Sequence, residues 1–125
     1  MIHFGKVLAK INIYLKKIKE VKRKEVKFLS DKLAQCREEI DRIDGELMKL
    51  FEERMNVVLD VARYKKENNM EIFHKDRENQ VIEKNLSRVK NKELSPYAEE
   101  MLHALMDISK EYQQYKIGMR ENFIK

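Results

Sequence analysis

Two basic residues, Arg54 and Lys65, stand where an apolar side chain is due in the longest helical pattern of this 125-residue chain. The register is set by Leu33, Cys36, Ile40, Ile43, Leu47 and Leu50, which alternate steps of three and four and so share one helix face. Continued, it runs through Arg54, Val57 or Val58, Val61 and Lys65. An unpaired ion facing an apolar interior is costly, so two of them point to a site that holds anionic groups. The bland alternative is that both stems pack while their charged heads snorkel to water.

Helical geometry decides what these cations can share. Arg54 and Lys65 are eleven residues apart; at about 100° and 1.5 Å per residue they return to nearly one face, separated by roughly 16 Å. Their long side chains can converge on one small molecule. Arg37 lies seventeen residues before Arg54, about 25 Å away and turned by roughly 100°, so within one chain it cannot join them. In an antiparallel dimer it could reach the partner's site; otherwise it is an ordinary exposed arginine. Ser109 and Gln113, at i and i+4 after an apolar series, point a hydroxyl and an amide to one side. Arg77 and Glu78 open a helix, where a carboxylate also favours the helix dipole.

These residues must be placed by helices. Periodicity predicts a long helix over about residues 31–67, a second over 77–90 and a third over 96–119. Asn68 and Asn69 close the first, Asp76 is available as an N-cap for the second, and Ser95 followed by Pro96 should start the third. Three Gly and one Pro leave little room for a sheet-rich fold, and the expected class is all-α. A helix of some 37 residues would be about 55 Å long, more than a three-helix protomer can cover. A second copy, packed as an intertwined homodimeric helical bundle with the long helices side by side, is the economical partner.

With 42% apolar and 39% charged residues, the chain reads as one solvated helical domain. Its net charge of +5 is uneven: residues 1–30 hold nine Lys and Arg against two Glu, a local +7. That segment is read as a basic amphipathic extension and residues 31–125 as the domain. Val7, Leu8, Ile11, Tyr14, Leu15 and Ile18 can line one side of a helix in it. Without Trp or a base-stacking array, neither membrane nor nucleic acid is an expected partner. Cys36, the single cysteine, excludes an intrachain disulfide and sits in the apolar register, where a buried reduced thiol is expected. No membrane span and no signal peptide are legible, so a cytoplasmic setting is the default. His3 and His103 have no zinc-type partners, and neither metal nor cofactor is expected.

Taken together, the segments from Arg37 to Asp44, Glu53-Arg54-Met55, Tyr64-Lys65, Asp76-Arg77-Glu78, Met106 to Ser109 and Tyr112-Gln113 resemble the all-helical chorismate mutases over about residues 33–114. The resemblance implies a dicarboxylate site completed by an arginine from the other protomer. By that resemblance Arg54 and the partner's Arg37 clamp the two carboxylates of chorismate, for which planar guanidinium forks suit better than Lys. Lys65 and Gln113 would donate to the ether oxygen, Glu78 would accept from the ring hydroxyl, Ser109 would assist at a carboxylate, and Arg77 would add positive potential. Arg54, Lys65, Gln113, Arg37 and Glu78 are thus the expected catalytic set. His74 departs from the family pattern, which often has Asp there near the substrate hydroxyl; a backbone N–H contact would tolerate it, whereas a required side-chain acceptor would lower affinity and bring pH dependence near neutrality.

The implied reaction, chorismate to prephenate in phenylalanine and tyrosine synthesis, is unimolecular and pericyclic and needs no nucleophile. No dehydratase or dehydrogenase domain follows Lys125, so a monofunctional mutase is expected. Isochorismate pyruvate lyase on the same scaffold is an alternative that Ser109 and the Arg77-Glu78 pair disfavour. A non-enzymatic helical adaptor that dimerises and binds another macromolecule through residues 1–30 is the other.

Overall fold

The computed structural model describes the backbone of residues 2–124 and the side chains of residues 3–118. Its described residues form three α-helices, α1 (Ile2–Glu67), α2 (Lys75–Arg88) and α3 (Ser95–Ile124), with a 3-10 turn at Lys92–Leu94. The all-α expectation holds. No described helix is long and apolar enough to cross a membrane.

The chain divides into two compact units, Met1–Met48 and Lys49–Lys125. The described residues of the first all belong to α1. The long domain helix was expected to start near residue 31, with an amphipathic helix in the extension before it; the described helix runs unbroken from Ile2 through both. Between Gly5 and Gly45 the sequence has neither Gly nor Pro, so nothing interrupts the ladder of hydrogen bonds. A lone helix has no second layer. Leu33, Ile40, Ile43 and Leu47 are therefore exposed in the single chain, and Cys36, expected to be buried, is exposed as well.

The second unit packs the end of α1 with α2 and α3. Met55, Leu59 and Ala62 of α1, Ile82 of α2, and Leu102 and Met106 of α3 form its core, with Ser109 and Gln113 buried as polar members. The termini explain how its elements are held. Asn69 sits at φ 55, in the left-handed region. Met70 N donates to Lys65 O at 2.8 Å and Asn69 N to Lys66 O at 3.3 Å. This pairing ends α1 as a Schellman motif with Asn in the place Gly usually takes. It also closes the turn that carries Lys65.

Two caps differ from expectation. The residue at the N-cap of α2 is His74, in extended backbone and without a side-chain cap bond, while Asp76 lies inside the first turn. There Asp76 favours the positive end of the helix dipole instead of bonding an orphan N–H. Ser95 is already helical at φ −54, ψ −45, because the 3-10 turn runs directly into α3. Asn91 caps that turn instead, accepting from Glu93 N at 3.2 Å. At its other end α2 stops at Arg88, two residues before the expected Lys90, where Val89 becomes extended.

Candidate active site

A cavity of about 330 Å³ opens within the second unit, at the lower end of the range for small-molecule sites. Its apolar lining comes from Val57, Val58 and Val61 of α1, Val81 of α2 and Met106 of α3, with Ile72 and Phe73 from the α1–α2 connection. Its polar groups include Arg54 and Lys65 from α1, His74, Arg77 and Glu78 around the start of α2, and Ser109, Lys110 and Gln113 from α3. Seven of the eight sequence-predicted site residues thus line one cavity. The eighth, Arg37, is exposed in the first unit and does not line it.

Each cation has a traceable position. Arg54 is half-buried, and its Nη1 donates to Ser109 Oγ at 2.8 Å. The Ser109 hydroxyl in turn donates to Leu105 O at 2.6 Å, so its lone pairs face the guanidinium. Burial lowers the Arg54 pKa from its ordinary value. This is the desolvation cost of a cation held by a neutral partner. Lys65 is half-buried and Arg77 exposed, and neither forms an ion pair among the described residues. His74 is exposed on the rim.

Gln113 bridges α3 and α1 by donating from Nε2 to Val58 O at 3.0 Å. An amide nitrogen carries two N–H groups, so one fixes the side chain and the other makes no hydrogen bond among the described residues. The buried Ser109 and Gln113 are thus anchored to the helix that bears Arg54 and Lys65.

Sequence reasoning missed Lys110. Its Nζ lies 2.7 Å from Glu78 Oε1, linking α3 to α2. The hydrogen bond to Glu78 is the chief cause that raises the Lys110 pKa, with smaller electrostatic help from Glu78 and Asp107 against desolvation. A raised folded-state value means the pair keeps its ammonium through neutral pH and loses it only as pH climbs through that value. Adjacency to Ser109 was the only signal in the sequence.

The wall therefore holds four cations, Arg54, Lys65, Arg77 and Lys110, against one carboxylate, Glu78, an excess of three positive charges. Such a cavity is built for a small polyanion with an apolar body. The chain matches the family model for chorismate mutase type II over residues 36–114.

It belongs to the type II chorismate mutase family.

The match takes in Arg37 and the whole cavity wall, and leaves residues 1–35 outside the family pattern. No curated protein and no solved structure matches the chain.

Proposed function

We propose that this protein is a chorismate mutase, an isomerase that rearranges chorismate to prephenate for phenylalanine and tyrosine synthesis. The observation that carries the reading is the cavity's excess of cations together with an apolar lining, inside the segment that matches the family. Residues 31–125 are the catalytic domain in this reading, and residues 1–30 an appended basic segment.

Catalysis here requires holding and charge stabilisation alone. As the C–O bond breaks and the C–C bond forms, negative charge grows on the ether oxygen. Lys65 and the free N–H of Gln113 donate to it, and they are most effective when water is excluded. Arg54 binds one carboxylate, with Ser109 fixing its guanidinium. The partner's Arg37 binds the other carboxylate in an intertwined homodimer, Glu78 accepts from the ring hydroxyl, and Arg77 adds positive potential. The apolar lining favours the compact conformer in which the reacting carbons meet. A millionfold acceleration corresponds to about 8 kcal/mol, within reach of preorganised dipoles and charges.

The test is to add the purified protein to chorismate and follow its loss in the ultraviolet, identifying the product by acid conversion to phenylpyruvate. Prephenate is the expected product. No turnover of chorismate, with release of pyruvate from isochorismate instead, would replace this reading by a lyase on the same fold. Inertness toward both would favour an adaptor.

A further inference from the structure

The face of α3 that bears Ser109 and Gln113 also presents Lys110 to the cavity, and the mechanism above gives it no part. Its ammonium touches Glu78 Oε1 at 2.7 Å, and Glu78 has no other side-chain partner among the described residues. The contact joins two helices. It differs in that respect from the pairs of Arg42 with Glu39 and Glu46, which lie along the surface of a single helix. The two side chains are 36% and 25% exposed, so the pair is partly shielded without being sealed from water.

Two consequences follow from the chemistry of a carboxylate. It has two oxygens, each able to accept. With Lys110 on Oε1, Oε2 stays open to a hydroxyl donor. A glutamate released from that contact is also a flexible anion in a wall that carries the unpaired cations Lys65 and Arg77. Turning toward either would neutralise the charge a polyanionic ligand needs.

We infer that Lys110 is the positioning residue of Glu78: it clamps one carboxylate oxygen so that the other accepts the ligand's hydroxyl, and it keeps Glu78 away from Lys65 and Arg77. This rests on the assignment of Glu78 to the hydroxyl of chorismate. A residue acting through Glu78 and a cation acting directly on the substrate give different double-mutant cycles.

The experiment measures kcat and KM for chorismate in the wild type, Lys110→Met, Lys110→Arg, Glu78→Ala and the double variant Lys110→Met with Glu78→Ala. Lys110→Met should raise KM about tenfold, as expected when a charge-assisted contact that orients bound substrate is lost. Lys110→Arg should recover most of that loss. In the Glu78→Ala background the Lys110→Met change should cost no more than about twofold. An equal loss in both backgrounds, or a Lys110→Met enzyme that matches the wild type, overturns the inference.

A ligand-free measurement reads the clamp by itself. The side-chain ammonium resonance of Lys110, assigned by its absence in Lys110→Arg, should be retained at neutral pH and lost to fast exchange in Glu78→Ala. An unchanged resonance in Glu78→Ala refutes the clamp. A wild type that leaves chorismate intact counts against the substrate assignment, while the resonance still decides whether Lys110 holds Glu78.

Discussion

An arginine whose partner is a hydroxyl keeps its full charge available to a ligand. Arg54 is in that position: Ser109 orients it at 2.8 Å without neutralising it. Arg54→Ala should therefore lower kcat/KM by at least about a hundredfold, the loss seen when one preorganised donor is removed from a desolvated site. Ser109→Ala should cost about tenfold, since the guanidinium remains but its orientation is lost. Steady-state kinetics with far-ultraviolet circular dichroism as the folding control checks both, and near-normal kcat/KM in Arg54→Ala would remove that residue from the site. Gln113 permits a pH test. Its amide does not ionise, whereas Gln113→Glu can donate to the ether oxygen only when protonated. The variant should gain activity as pH falls from 8 to 5, and a flat profile would contradict the contact. Arg54 and Lys65 were legible because a charge in an apolar register is conspicuous. Lys110 was not, because its significance lies in a contact with Glu78, thirty-two residues away in sequence, that tertiary packing alone creates.

At the scale of elements, the α1 terminus links stability to the site. Lys65 O accepts from Met70 N in the motif that needs Asn69 at φ 55. A Cβ-bearing residue without a locally bonding side chain pays about 1 kcal/mol in that conformation, and Gly pays none. Asn69→Ala should thus lower Tm by several degrees and Asn69→Gly should hold or raise it, read by thermal denaturation; equal effects of the two would refute the cap assignment. The three helices were legible from periodicity, and the closing pair Asn68-Asn69 from composition. The caps at Asp76 and Ser95 were misplaced because several polar residues near a helix start compete for one role. His74 and Asn91 took the flanking backbone conformations instead. A helix before residue 31 was legible from its apolar side; its fusion with the domain helix follows from missing breakers, a weaker signal than a repeated apolar stripe.

The whole molecule has an apolar stripe that one chain cannot cover. Leu33, Ile40, Ile43 and Leu47 are about half exposed, and burying a side chain of this kind contributes roughly 1.5–3 kcal/mol. In the proposed homodimer the partner's long helix covers them and brings Arg37 to the cavity. Leu47→Arg should then give monomers in sedimentation velocity and abolish turnover together, although position 47 does not line the cavity. Dimers with full activity would exclude the stripe as the interface. The apolar stripe was legible in the register; what covers it was not, because periodicity describes a face and says nothing of what packs against it.

Mixing two inactive variants, Arg37→Ala and Arg54→Ala, tests the shared site most directly. A heterodimer keeps both arginines in one of its two sites, so random exchange should restore about a quarter of wild-type chorismate turnover. Verified heterodimers that remain inactive would contradict a cavity completed by the partner's Arg37.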